Sequence, residues 1–214
     1  MGIRIREASD EDIPRAAQGE ADAYGAGRNG PSLFFPGPFP VPPIESRTNQ
    51  IIDMRKNDPT CQLLIVVDEE TSEQMGFAKY HIYKTLEDVS SYAGRPVPSG
   101  PGVNEAACEA FFGGLVVRKK AIMGTKPQIY LHMLHTEPKY QRRGAASALL
   151  KWATERADQL GLPVYLESSF EAHVLYGRYG FKDAEIFECD MRPFGGDKIV
   201  TVPLMIREPF KPSA

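Results

Sequence analysis

The chain reads as an α+β protein, a single domain over residues 1–214 in which strands and helices alternate along the sequence. Its 214 residues, 42% hydrophobic and 25% charged, are enough for one well-buried core. Short apolar segments of strand character recur about seven times between Ile3 and Ile206. Segments with helical spacing lie between them, clearest over residues 143–160.

Ile3 to Arg6 alternates apolar and charged residues, as a half-buried strand does. Ser9-Asp10-Glu11-Asp12 supplies a helix start, with acidic groups where the helix dipole favours them, and the helix is expected to reach about Tyr24. Residues 25–43 form a Gly/Pro-rich loop carrying Phe34, Phe35 and Phe39, which either line an apolar pocket or plug the core. A second helix is predicted over Glu45–Lys56, ending before Asn57-Asp58-Pro59. Strands follow at Gln62–Val67 and Met75–Tyr83, joined by a polar turn.

Residues 84–104 read as an excursion from the core, which with its continuation is placed near 84–108. A helix over Glu105–Met123 is weakened by Gly113-Gly114. Gln128–Thr136 is the best central-strand candidate. In the helix from about Arg143 to Leu160, Ala146, Leu149, Leu150, Ala153, Ala157 and Leu160 recur at helical spacing, and Gly161 with Pro163 stops it. The order closes with a strand at Val164–Ser168, a helix at Glu171–Tyr179, and strands near Ala184–Met191 and Ile199–Ile206 flanking the turn at 194–197.

The formal charge of −3 offers no basic excess for nucleic acid, and no polybasic block points to a membrane surface. No apolar run approaches the roughly 18–20 residues that span a bilayer. The N-terminus lacks a signal-peptide segment, and Arg6 stands where a myristoylation signal needs Ser or Thr. Cys61, Cys108 and Cys189 are widely separated and without CxxC spacing, as in reduced thiols of a cytoplasmic protein. The four histidines form no metal-ligand pattern, so no metal is expected. Gly25, Gly27 and Gly30 spell GxGxxG, but a helix precedes them and Pro31 follows, the wrong context for a dinucleotide site.

One run carries chemistry. Leu131 to Ala146 passes from a strand through a turn into the long helix. Such a turn leaves backbone N–H groups unpaired at a helix N-terminus, where the dipole also favours negative charge. Gly144 and the alanines after it let phosphates approach the backbone closely. Read from the residues alone, this is a site for a phosphate-bearing ligand or an ordinary helix start.

Gln141, Gly144 and Ala146 match, in order, the pyrophosphate motif Gln/Arg-x-x-Gly-x-Gly/Ala, and the segment resembles that of the GNAT superfamily of acetyl-CoA-dependent N-acetyltransferases. Leu175-Tyr176-Gly177-Arg178-Tyr179-Gly180-Phe181 is similar to the family's second signature, Leu-Tyr-x-x-x-Gly-Phe. Ala172 falls where that signature has alanine, and Ser169 stands where many members have asparagine. The close resemblance covers about residues 128–182. It implies the GNAT fold, a three-layer α/β arrangement whose mixed, mostly antiparallel sheet of about seven strands is flanked by helices.

The resemblance also implies roles. Acetyl-CoA would lie where the central strand and the next one splay apart. Backbone amides from Arg142 through Arg143, Gly144 and Ala145 to Ala146, with Gln141, would hold the pyrophosphate, and Leu134 and Thr136 would pair with the pantetheine arm. The Leu134 N–H would polarise the thioester carbonyl, a kind of donor worth roughly 2.7–4 kcal/mol in a barrier. Tyr176 matches the tyrosine that serves as general acid for the departing thiolate, a transfer uphill by roughly 2 kcal/mol for an ordinary phenol.

An acceptor amine must lose a proton, and His132 is the candidate base; strand alternation predicts its side chain on the same face as that of Leu134. The surrounding strand is similar to that of serotonin-type arylalkylamine acetyltransferases, with Tyr130 standing in place of a first histidine. His135 and Glu137 are alternative bases. The implied partners are acetyl-CoA and an amine acceptor on a small molecule or peptide, with recognition expected from loops 25–43 and 84–108. Two other functions fit the same motifs: a non-catalytic acyl-CoA sensor, and a transferase of longer acyl groups.

Overall fold

The computed structural model describes residues 2–24 and 30–210. Strand β1 (Ile3–Glu7) leads through a 3-10 turn into α1 (Ile13–Tyr24), followed by α2 (Pro31–Phe34) and α3 (Pro43–Asn57). The hairpin of β2 (Cys61–Asp68) and β3 (Gln74–Tyr83) precedes α4 (Leu86–Tyr92), α5 (Glu105–Cys108) and α6 (Gly114–Met123). Then come β4 (Gln128–Thr136), α7 (Ala145–Leu160), β5 (Val164–Glu167), α8 (Phe170–Arg178), β6 (Lys182–Asp190) and β7 (Ile199–Arg207).

The strands form one seven-stranded sheet in the order β1-β2-β3-β4-β5-β7-β6. Every pairing is antiparallel except β4 with β5. Alternation along β2 shows how the layers arise. Leu64 and Val66 face α7, packing with Leu149, Leu150, Ala153 and Ala157. Leu63, Ile65 and Val67 face the other way, against Ile13 and Ala16 of α1 and Ile51 of α3. The result is the three-layer α/β arrangement with a mixed, mostly antiparallel sheet that the sequence predicts.

The long helix forms as its periodicity dictates and ends at Gly161, which takes a left-handed φ of 64° and bonds back to Ala157 and Asp158. Leu149, on its inner face, is fully buried. Leu149→Ala is expected to lower stability by about 2–5 kcal/mol in urea denaturation, through lost burial and the cavity left behind.

Several elements differ from expectation, and the stretch read as loop contains α2. Residues 84–104 contain α4, started by a reciprocal cap in which Thr85 and Asp88 each bond the other's backbone N–H. The helix over 105–123 is continuous in direction but passes through a π turn at Glu109–Gly113. Its glycine pair has a packing reason: a Cβ on Gly114 would lie 2.6 Å from the Phe187 ring of β6. The strand expected near Ala184 begins at Lys182, with Ala184 the extra residue of a bulge.

Phe34 is buried against Phe111 and Phe112, with ring centroids 5.2 and 4.9 Å away, and so plugs the core; Phe35 packs against the same cluster. Gly25 and Gly27 of the glycine run lie outside the described residues, and Gly30 caps α2. Among the described residues no helix is long and apolar enough to cross a membrane.

Candidate active site

The sheet opens at its centre. β4 and β5 pair only over Ile129–Leu131 and Val164–Leu166. Beyond that point β4 continues to Thr136 on β3 alone, and β5 continues on β7. One edge of β4 from His132 to Thr136 is therefore without a strand partner. The Leu134 carbonyl faces this gap, because it accepts a 2.7 Å hydrogen bond from the Tyr24 hydroxyl. In an extended strand the N–H and C=O of one residue share an edge, so the Leu134 N–H faces the gap too, with Thr136 following at the same parity. Tyr24 as a residue is 45% exposed, yet its hydroxyl is desolvated, which raises its pKa.

After β4 the chain turns through a 3-10 segment at Pro138–Tyr140 and enters α7. Arg142 and Gly144 both hold left-handed backbones, with φ of 61° and 91°. Two such residues in three bend successive N–H groups toward one concave point, and the first turn of α7 adds its own unpaired N–H groups. No acceptor among the described residues meets the Arg142 or Gly144 N–H. A Cβ on Gly144 would meet only Ile3 Cδ1 at 3.6 Å. Gly144 is thus suited to its left-handed conformation, and the space around it is open. The Arg143 side chain donates to Asp68 at 2.8 Å, which ties the turn to the β2–β3 hairpin, while Gln141 and Arg142 are exposed.

Tyr176 is buried on α8, edge-on to Phe181 at 5.8 Å. Burial pushes its phenol up to about 12. Its hydroxyl has no hydrogen-bond partner among the described residues, and Tyr24 and Tyr80 both sense it electrostatically.

His132 does not share a face with Leu134. Lys79 pairs with Met133 and Tyr80 with Leu131, so His132 is the extra residue of a β-bulge. The insertion breaks the alternation. Leu134 packs on the α7 side, whereas the His132 ring stacks on Tyr130 of the other side at 4.9 Å. There it meets a second histidine: His132 Nδ1 lies 3.4 Å from His81 Nε2, and His81 Nδ1 lies 2.9 Å from Asp58 Oδ2.

The Asp58 carboxylate can only accept, which assigns the proton of His81 to Nδ1 and leaves its Nε2 as an acceptor for His132 Nδ1–H. The outer nitrogen of His132, Nε2, is then a free base. Burial lowers the pKa of both rings, and for His132 the Lys79 and Arg95 cations lower it further. For Asp58, burial works upward but hydrogen bonds from His81 and Thr60 win, and its pKa is lowered.

The alternative bases are placed elsewhere. His135 lies under α1, 5.6 Å from the Phe77 ring, and burial pushes its pKa down to about 4. A Cβ on Gly19 of α1 would be 3.0 Å from its Nε2. Glu137 is buried and engages both oxygens with the Arg15 guanidinium. Neither faces the opening.

Beside His132 is a recess of about 200 Å³. Its walls include Asp58, His81, Tyr83, Arg95, Lys119 and Tyr130, and its rim is residues 91–96 of the 84–108 excursion. Residues 30–43 contribute nothing to it. Arg95 pairs with Glu167 at 3.2 Å, and the same carboxylate oxygen accepts from Tyr130 at 3.0 Å. His81, Asp58, Arg95, Lys119 and Tyr24 were not singled out by sequence, because only the β2–β3–β4 register and the helix packing bring them together. Among the described residues no group of three or more His, Cys, Asp or Glu side chains is placed to hold a metal ion.

The chain as a whole is similar to known proteins. A model of the acetyltransferase (GNAT) family matches residues 30–181. An uncharacterized N-acetyltransferase of Schizosaccharomyces pombe is 29% identical over 106 residues, covering 50% of this chain and 45% of that protein. The match thus spans less than half of that relative's length. A mosquito arylalkylamine N-acetyltransferase like 5b superposes with a TM-score of 0.64 at 11% identity, over 97% of this chain and 100% of that one. A Corynebacterium glutamicum structure described as histone acetyltransferase HPA2 and related acetyltransferase gives 0.62 at 20% identity over 100% of both chains. The Escherichia coli ribosomal-protein-S18-alanine N-acetyltransferase gives 0.56 at 16%, over 99% and 97%. At such identities these structures share the fold.

Proposed function

The chain belongs to the acetyltransferase (GNAT) family of acyl-transfer proteins, and from that premise we propose that it moves an acetyl group from acetyl-CoA to a primary amine of a small molecule or peptide by direct attack in a ternary complex. The observation that carries this reading is the parting of β4 from β5 with the Leu134 N–H on the open edge. A strand gap of this kind lets an extended amide-bearing arm hydrogen-bond as one more strand would. The turn from Gln141 to Ala146 offers N–H donors to a pyrophosphate at one end of the gap. The Tyr24 hydroxyl bonds the Leu134 carbonyl, so the arm of acetyl-CoA would displace or share that bond.

In the reaction the amine nitrogen forms a bond to the thioester carbon, the carbon–sulfur bond breaks, and CoA leaves as thiolate. The Leu134 N–H stabilises the charge that develops on the carbonyl oxygen. His132 Nε2 takes the proton from the amine, while His81 and Asp58 hold its tautomer and let its Nδ1 proton shift inward. Burial pushes the Tyr176 phenol up to about 12, so complete proton transfer to the thiolate is uphill. Tyr176 therefore acts by donating a hydrogen bond to the sulfur, and full transfer follows from solvent.

Tyr176→Phe is expected to lower kcat about tenfold to a hundredfold and leave the Kd for acetyl-CoA within about twofold, as loss of one hydrogen bond made mainly in the transition state requires. Release of CoA thiol across a panel of amines, with acetyl-CoA beside longer acyl-CoAs, tests the function. A faster reaction with a longer acyl donor would replace acetyl in this reading. No release with any amine, from a protein that binds acetyl-CoA, would favour the sensor.

A further inference from the structure

We propose that the acceptor carries an anionic group, a carboxylate in the first instance, close to the amine that is acetylated, and that Lys119 with Arg95 receives it in the recess beside His132. This rests on the acetyltransferase reading and narrows its substrate.

Lys119 is 8% exposed, and the carboxylate that acts on it, Glu167, is bonded to Arg95 and Tyr130. Its ammonium lies 3.9 Å from the centre of the Tyr130 ring and donates to the Ala93 carbonyl at 3.2 Å. Arg95 reaches the same recess, with one of its two Nη atoms on Glu167. Nearby Lys79 is 1% exposed, with no hydrogen-bond acceptor among the described residues, and its charge is felt at His132. Burial lowers both lysines, Lys79 to about 7 and Lys119 to about 8. The Glu167 carboxylate, already bonded by Arg95 and Tyr130, is also the one felt at Lys119, so a single carboxylate serves two desolvated cations, and a bound anion relieves the remaining cost.

The same field acts on the amine. The Asp58 carboxylate in the same wall is taken up by His81 and Thr60, so an ammonium beside Lys119 and Arg95 is disfavoured and the acceptor nitrogen is held neutral next to a base that is itself neutral. A second positive charge, as on a diamine or a basic peptide, is repelled. A carboxylate on the acceptor reverses the sign of the interaction. Tyr83, Tyr92 and Tyr130 leave apolar walls for the rest of the molecule.

The test is calorimetric binding to the CoA-loaded full chain, using the standard amino acids, their methyl esters, phenethylamine and 1,4-diaminobutane. The result expected is that at least one amino acid binds about tenfold or more tighter than its own ester and than either amine. Lys119→Met should remove that preference, and Lys119→Arg should keep most of it. An ester, phenethylamine or the diamine binding as tightly as every amino acid would overturn the proposal, as would no binding by any amino acid. Those outcomes differ from failure of the parent reading, which is seen in the same instrument as no binding of CoA itself.

Discussion

Replacing Gly144 with valine is expected to weaken acetyl-CoA binding at least a hundredfold, on the order of 3 kcal/mol, while the protein stays folded. Gly144 holds φ at 91°, which costs a β-branched residue about 1–3 kcal/mol. The protein has little reason to absorb that cost in its core, because a new Cβ meets only Ile3 Cδ1, at an ordinary 3.6 Å. The turn relaxes instead, and its N–H groups no longer converge. Each charge-assisted hydrogen bond to a phosphate is worth about 1.5–3 kcal/mol, so losing two accounts for the effect. Calorimetric Kd values, with circular dichroism and Tm on the same samples, check both halves. Unchanged affinity in the valine variant would remove the turn from the binding site.

His132→Gln is expected to lower kcat by about a hundredfold or more, the range of general base catalysis, with the Kd for acetyl-CoA unaltered. The pH dependence gives a second readout. Neutral His132 is the active form, so activity falls as pH drops through its pKa. Burial first, then Lys79 and Arg95, lower that pKa, so the acidic limb of kcat/KM lies below the ordinary histidine value near 6.5. The limb should vanish in His132→Gln. A limb at or above 6.5, or a glutamine variant with full kcat, would take the base role from His132.

The parts of this protein that were legible in its sequence are those governed by local pattern. The helix ending at Gly161 follows from 3.6-residue periodicity and a left-handed cap, and both lie within a few turns of chain. The turn at Gln141–Ala146 is local as well, so its position could be read, and Gly144 there holds a left-handed φ. Strand alternation predicts that His132 shares a face with Leu134, and the structure turns it to the other face. Counting by two along a strand assumes no bulge, and a bulge depends on how β3 and β4 register.

The rest of the recess is tertiary in origin. His81 meets His132 across β3 and β4, and Asp58 reaches His81 from the end of α3. Lys79 and Lys119 look in sequence like any exposed lysines; only the packing above them makes them buried cations. The Phe34 side chain settled between two sequence-level options by filling a gap between α5, the π turn and β6–β7. Such gaps are defined by distant elements, and no local pattern announces them.

The most direct measurement is calorimetric titration of the purified chain with acetyl-CoA, with CoA and ATP as companions. One site per chain is expected, with micromolar affinity for acetyl-CoA and CoA, and much weaker binding of ATP, which lacks the pantetheine arm that the open edge of β4 would hold. A folded protein that binds neither thioester nor CoA would contradict the account, and the gap between β4 and β5 would then need another occupant.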